Sequence, residues 1–543
     1  MNTALHAAET ALTCAATVVD ETSLTLADGA VDDGVISVAK LDQHQVLSYD
    51  LAHSASALAV GKVMLDYAAH GDDEAMLASA FIADAIWDLS TRMAGRTSTW
   101  RQPVTALDPA MDFVEEYRDP TFLERLAERV AAVGTGASHL SDDFDLVRAT
   151  FGRFADEEIR PVAEHVHRTN DDVPESIITG LAHIGGFGLS VPEAYGGFAA
   201  GGEQDYLGMV VATEELSRGS LGIGGSLITR PEILTRALVR GGTEAQKQRF
   251  LPPIASGAVM CGIMATEPDY GSDVAGVSVT ATPTAGGYLI NGTKTWCTFA
   301  GRANLLMLLA RTNPDRSLAH RGLSVFVIEK ESTAGHAFAY RQTNGGTMEG
   351  RAIDTIGYRG MHSYEVSFAD WFVPAENLIG EDAGLGKGFY LQMEGFENGR
   401  LQTAARATGL MQAAFDAGLS YAQERRVFGK PVFDYQLSKV KLARMAVLIQ
   451  AGRQFSYHVA RRMAVGEGAL EASMLKAFVC RSAEWVTREA MQLHGGMGYA
   501  EEFPVSRYFV DARVLSIFEG ADETLCLRVI ARRLAEQALA RSA

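Results

Sequence analysis

Apolar residues recur every three or four positions along most of the chain and every second position in one central block. From Val35 to about Arg96 the stripe passes through Leu51, Ala52, Leu58, Val63, Leu65, Met76, Leu77, Phe81, Ile82 and Ile86, which predicts two or three helices. Residues 1–30, rich in Ala and Thr without a clear period, are expected to be weakly ordered. Residues 97–119, with Trp100, Pro103, Pro109 and the adjoining Pro120, read as a linker or partly extended strap. A second helical block runs from about Thr121 to Gly257, with Ser141 before an acidic first turn as a candidate cap. Pro161, Pro174, Pro192 and Gly196-Gly197 divide that block into several helices.

Near Ala281 the period drops to two. VSVTATPTAGGYLINGTKTW alternates across Gly286-Gly287, a hairpin signal, and NLLMLLAR, GLSVFVIEK and YEVSFADWFVP follow as short strands. After Gly384 the helical period returns in three long segments and a closing LCLRVIARRLAEQAL, enough for a four-helix bundle. The pattern is mainly α with a β domain. It divides into a helical extension (1–135), a helical domain (136–258), a middle β domain (259–380) and a helical bundle (381–543).

Composition narrows the function classes. The 543 residues carry 48 basic and 67 acidic side chains, a formal charge of −19, which disfavours nucleic acid and anionic membrane as partners. The five cysteines are scattered, with no CxxC or Cys/His spacing, so no metal site is expected and the thiols read as reduced. Glu9 lies near the N-terminus with no basic residue before its apolar stretch, unlike a signal peptide, and no run of eighteen apolar residues occurs. A cytoplasmic protein is expected. GEDAGLGKG lacks phosphate-loop spacing, and HIGGFGLSVPEAYGG lacks the strand–GxGxxG–helix context of a dinucleotide loop.

Four segments carry chemistry. MATEPDYGSDVAG offers a hydroxyl at Thr266, a glycine at 271 that lets backbone N–H groups approach a diphosphate, and a second hydroxyl at Ser272. Taken alone, a tight turn entering a sheet explains it equally well. NGTKTWCTFAGRAN places Trp296 and Thr298 two residues apart, which in a regular strand sets both on one face. YAQERRVFGKPVFDYQ and QLHGGMGY follow in the bundle, and SIFEGADE supplies a Glu-Gly turn near the end.

Together, over about residues 140 to 540, these segments resemble the acyl-CoA dehydrogenase family. The resemblance implies that family's fold, with a helical domain, a β-barrel domain and a C-terminal four-helix bundle, here behind an added helical extension. It also implies FAD as cofactor, held by Ile263, Ala265, Thr266, Gly271, Ser272, Trp296, Thr298, Gln492, Gly495 and Gly496. Arg425, Phe428 and Gln436 would reach the FAD of a neighbouring subunit, hence a homodimer or homotetramer. Glu519 would be the base that takes the α-proton of an acyl-CoA thioester. Other branches of the family carry the base on the first bundle helix, where MEGFENGRL places Gly399. Stabilisation of the enolate-like oxygen would come from the Glu519 backbone N–H and a ribityl hydroxyl, and the β-hydrogen would leave as hydride to flavin N5. Glu397 and Arg400 would contact the pantetheine arm, Ser272 and Gly520 the substrate, and an electron-transfer flavoprotein would accept the electrons. Where family members read EGTxQ this chain reads Glu519-Gly520-Ala521-Asp522-Glu523, so the cofactor contacts of Ala521 and Glu523 lose their side-chain donors.

The extension, the length and the SIFEGAD ending resemble one branch, which oxidises (2S)-methylsuccinyl-CoA to mesaconyl-CoA in the ethylmalonyl-CoA pathway. A substrate ending in a carboxylate requires a cation or several donors. Arg230, in GGSLITRPEIL, is one candidate, with a surface helix end as its alternative. Tyr364, in GMHSYEV, is another, with core packing as its alternative. Competing readings are a dehydrogenase or oxidase of isobutyryl-, butyryl- or glutaryl-CoA. From a different class comes a DNA-binding or noncatalytic flavoprotein of the same fold.

Overall fold

The computed structural model describes residues 2–542. In chain order the main helices are α1 (Asn2–Ala30), α2 (Gln45–Ala68), α3 (Asp72–Met93), α4 (Asp108–Arg118), α5 (Pro120–Val133), α6 (Asp142–Phe154), α7 (Glu203–Gly219), α8 (Thr229–Gly241) and α9 (Glu244–Ala255). Eight strands follow: β1 (Cys261–Met264), β2 (Thr280–Thr284), β3 (Gly287–Thr298), β4 (Leu305–Arg311), β5 (Leu323–Glu329), β6 (Ala337–Arg341), β7 (Thr347–Ile353) and β8 (Ser363–Pro374). The chain closes with α10 (Gly388–Glu424), α11 (Gln436–Ala464), α12 (Ala469–His494), α13 (Val505–Leu515) and α14 (Ala531–Ser542). Two compact units result, one of residues 142–402 and one of residues 1–141 with 403–543.

In the unit of residues 142–402 the strands form one curled sheet in the order β1-β4-β2-β3-β8-β7-β6, with β5 paired to β4. The expected hairpin is present: Thr284 pairs with Gly287 across Ala285-Gly286, and Gly286 supplies the positive φ that such a turn needs. The sheet buries an aliphatic and aromatic face through Ile290, Leu306, Leu308, Phe326, Val366 and Phe368. α6 begins directly after Ser141 with Asp142, Asp143 and Asp145 in its first turn.

In the other unit two expectations are corrected. Residues 2–30 are a 29-residue helix whose inner face is Ala8, Ala11, Leu12, Ala15, Val18, Val19, Leu26, Ala27 and Ala30. The stripe has helical spacing, but its small side chains give little hydrophobic contrast, so the period was hidden in composition. The strap at 97–119 is likewise helical: Thr97–Trp100 is a short turn with Trp100 fully buried, and α4 carries Pro109 in its first turn, where no N–H is needed. Among the described residues, no helix is long and apolar enough to cross a membrane.

Candidate active site

The predicted residues fall into two constellations, one in each unit. In the unit of residues 142–402, the TEP segment lies against β3: Thr295 donates its N–H to the Thr266 carbonyl at 2.9 Å. Beneath it is a buried ion pair that sequence reading missed. Lys294 Nζ lies 2.8 Å from Glu267 Oε1 and 2.8 Å from the Ala265 carbonyl, with both side chains sealed from water. Glu267 also accepts from Ser278 N and Oγ and from Val279 N. Burial alone would push its carboxyl up, but the Lys294 ammonium and these donors hold it below the usual carboxylate range. The signal was a Lys set among otherwise inward-facing strand positions.

Trp296 and Thr298 do not sit on a regular pleat. Cys297 pairs with Tyr364 and Lys294 with Val366, so Thr295 and Trp296 together face Glu365, a β-bulge. Trp296 lies in left-handed backbone (φ 56°) and is 54% exposed, whereas Thr298 is buried, with Oγ 3.0 Å from that of Ser363. Phe299 and His362, beside this pair, also have positive φ. Non-glycine residues in such backbone concentrate where function over-determines geometry.

Other candidates on this unit divide. Arg230 lies in the first turn of α8 and is only 6% exposed, with Nη2 3.3 Å from the Tyr358 hydroxyl, so the surface-helix alternative is excluded. Tyr364 is a core residue of the sheet whose hydroxyl donates to the Gly335 carbonyl at 2.7 Å, which is the packing alternative rather than a substrate contact. Ile263 and Ala265 are buried, Ser272 is exposed, and Glu397 and Arg400 are half-buried on α10 along with buried Gly399.

The second constellation centres on Glu519, half-buried with its Oε2 shielded from solvent. Glu519 and Gly520 have successive positive φ values of 54° and 98°. Holding a glutamate there costs about 1–3 kcal/mol unless neighbours impose it, and several do. Asp522 N–H closes the neck of the turn on the Ser516 carbonyl at 3.1 Å, Lys476 Nζ donates to the Gly520 carbonyl at 2.5 Å, and Arg406 lies over the Phe518 ring. Ala521 is half-buried and Glu523 exposed. Gln492, Gly495 and Gly496 are exposed at the end of α12, where Gly495 has φ 59°. Arg425 is exposed, and Phe428, with φ 47°, is 98% exposed between the paired segments Arg426–Val427 and Lys430–Pro431. Gln436 donates to Glu124 of α5 at 3.0 Å.

Three family models cover this arrangement: the acyl-CoA dehydrogenase N-terminal domain over residues 141–258, the middle domain over 262–371 and the C-terminal domain over 386–535. The chain belongs to the acyl-CoA dehydrogenase family. It is therefore a flavin-dependent oxidoreductase of acyl-CoA dehydrogenase type. It is 43% identical to the (2S)-methylsuccinyl-CoA dehydrogenase of Cereibacter sphaeroides over 74% of this chain and 71% of that protein. Butyryl-CoA dehydrogenase from Megasphaera elsdenii superposes with a TM-score of 0.64 at 31% identity, covering 71% of this chain and 97% of that one. A chain from the structure titled electron transferring flavoprotein of Acidaminococcus fermentans superposes with a TM-score of 0.65 at 30% identity, covering 73% and 98%.

The residues present fit a flavin. Gly271 is outside the left-handed region, and a Cβ built on it would meet nothing within 4 Å, so the fold itself does not require glycine there. The open space beside it is what a closely approaching diphosphate needs. The exposed, bulged Trp296 supplies a flat apolar surface of the kind an aromatic ring system packs on.

Proposed function

We propose that the protein performs FAD-dependent α,β-dehydrogenation of a short, branched dicarboxylic acyl-CoA, converting (2S)-methylsuccinyl-CoA to mesaconyl-CoA. The observation that carries the reaction is Glu519, a carboxylate in a closed, left-handed turn, with glycine at the family's alternative base position, residue 399. In this reading Glu519 takes the α-proton, and its own backbone N–H donates to the thioester oxygen as negative charge develops there. Bound there, FAD would supply the hydride acceptor for the β-hydrogen. Thr266, Gly271, Trp296, Thr298, Gln492, Gly495 and Gly496 are the residues that would hold it, while Glu397 and Arg400 position the pantetheine arm.

The dicarboxylic substrate rests on Arg230. It is only 6% exposed, and the fixed positive charge and planar donors of its guanidinium suit a substrate's distal carboxylate. The 43% identical relative supports the same substrate. Tyr364 has no part in this reading. Phe428, exposed on a strained turn beside Arg425, supports a role at a neighbouring subunit's cofactor, and therefore at least a dimer. The Gln436 amide would have to leave Glu124 to join it. An electron-transfer flavoprotein is the proposed acceptor and the cytoplasm the proposed location. The test is anaerobic mixing of the flavin-loaded protein with methylsuccinyl-, butyryl-, isobutyryl- and glutaryl-CoA. Bleaching fastest with methylsuccinyl-CoA is expected; equal or faster bleaching with butyryl-CoA would remove the carboxylate from the reading.

A further inference from the structure

The family models begin at residue 141, so α1 to α5 lie outside them. One of these helices nevertheless reaches the turn that carries the proposed base. Tyr49 and His53, one turn apart on α2, both address Asp522 Oδ2: the Tyr49 hydroxyl donates at 2.6 Å, and His53 Nε2 lies at 3.1 Å. Asp522 is the residue whose N–H closes the neck of the Ser516–Asp522 loop, with Glu519 at its centre. Cys526 Sγ lies 3.4 Å from the same imidazole nitrogen, and Arg481 of α12 donates to the Tyr49 hydroxyl at 3.4 Å.

We infer that the N-terminal extension is an in-chain clamp on the catalytic turn, with Tyr49 and His53 as positioning residues that act on Glu519 through Asp522. This deepens the proposed reaction and rests on it. The protonation states suit such a clamp. Burial would raise the Asp522 carboxyl, but the hydrogen bonds from His53 and Tyr49 and the charge of Arg481 hold it below the usual carboxylate range. Burial pushes His53 down, against the pull of Asp522, and keeps it neutral, while burial and Asp522 push the Tyr49 phenol up. At neutral pH an ionised carboxylate therefore receives two neutral donors, a strong and directional arrangement in a largely buried site.

Asp522 is tied across the fold: its partners come from more than 460 positions away in sequence. A turn with two successive positive φ values relaxes when its neck loosens, because nothing intrinsic to glutamate favours that backbone.

The test compares flavin-loaded wild type with Tyr49→Phe, His53→Gln and the double variant Tyr49→Phe/His53→Leu. Hydrogen–deuterium exchange of residues 516–524 is expected to accelerate in the double variant. The limiting rate of flavin bleaching by saturating acyl-CoA should fall by roughly 10- to 100-fold at unchanged KM and flavin content. His53→Gln, whose amide places a donor near the imidazole Nε2, should recover most of the rate. Unchanged exchange and unchanged limiting rate in the folded double variant would overturn the clamp. If the double variant does not fold, Tyr49→Phe carries the test: it removes one atom and should still lower the limiting rate severalfold, and a wild-type rate overturns the inference. Glu519→Gln in the same assay separates the two levels. If it bleaches normally, the base assignment fails and takes the clamp with it; if it is dead while the clamp variants are unaffected, only the clamp fails.

Discussion

Trp296 and Glu519 are both held in left-handed backbone, but by different means. Trp296 is fixed by its own neighbourhood: a bulge on β3, the Thr266 carbonyl bonded to Thr295, and the Lys294–Glu267 pair two to three dozen residues from end to end. Glu519 is fixed by partners recruited from afar, Lys476 and Arg406 from two bundle helices and, through Asp522, Tyr49 and His53 from the extension. A strand-built site carries its support in one continuous motif. A site on a loop between helices must borrow it, and this chain borrows part of it from a segment its family models lack.

The sharpest way to break the local half is Lys294→Met. It leaves Glu267 buried without its cation, which costs about 3–5 kcal/mol, and thermal unfolding should show that loss together with weaker flavin retention. Adding Glu267→Gln should recover part of it. The same pair sets a pH trend. A carboxyl held low in the folded state contributes stability above its ordinary value and loses it as pH falls through the folded one. Acid unfolding of the double variant should therefore be shallower than that of wild type.

Next in size is Arg230→Met. Loss of a buried cation facing a carboxylate should lower kcat/KM for methylsuccinyl-CoA by roughly 100-fold, from about 2–5 kcal/mol for such a pair, while butyryl-CoA turnover changes far less. Equal loss on both substrates would move Arg230 out of the pocket. The smallest effect is expected for Tyr364→Phe, which orphans the Gly335 carbonyl. It should cost about 1–2 kcal/mol of stability with no change in substrate preference; a shift in preference would return Tyr364 to the pocket.

The contrast between the two sites also explains what the sequence made legible. The order of helices and strands, the hairpin at Gly286 and the TEP and Glu-Gly segments are local patterns and were readable as such. The bulge at Trp296 was not, because strict alternation is the default for a strand and the extra residue shows only in the register with β8. α1 escaped notice because its buried stripe is largely Ala and Val, which contrast weakly with the Thr and Ser around them. Arg230 left pocket cation and helix-end charge equally open, because sequence does not report burial. The Tyr49–His53–Asp522 group could not be foreseen from spacing, since its members are joined only by tertiary structure.

The most direct measurement of the central claim is anaerobic stopped-flow reduction of the bound flavin by (2S)-methylsuccinyl-CoA in wild type and Glu519→Gln. The account predicts rapid bleaching in wild type and a loss of about 10²–10⁴-fold in the variant, the range expected for removing a general base, with flavin content unchanged. Bleaching of the variant at the wild-type rate would place the base elsewhere and contradict the account.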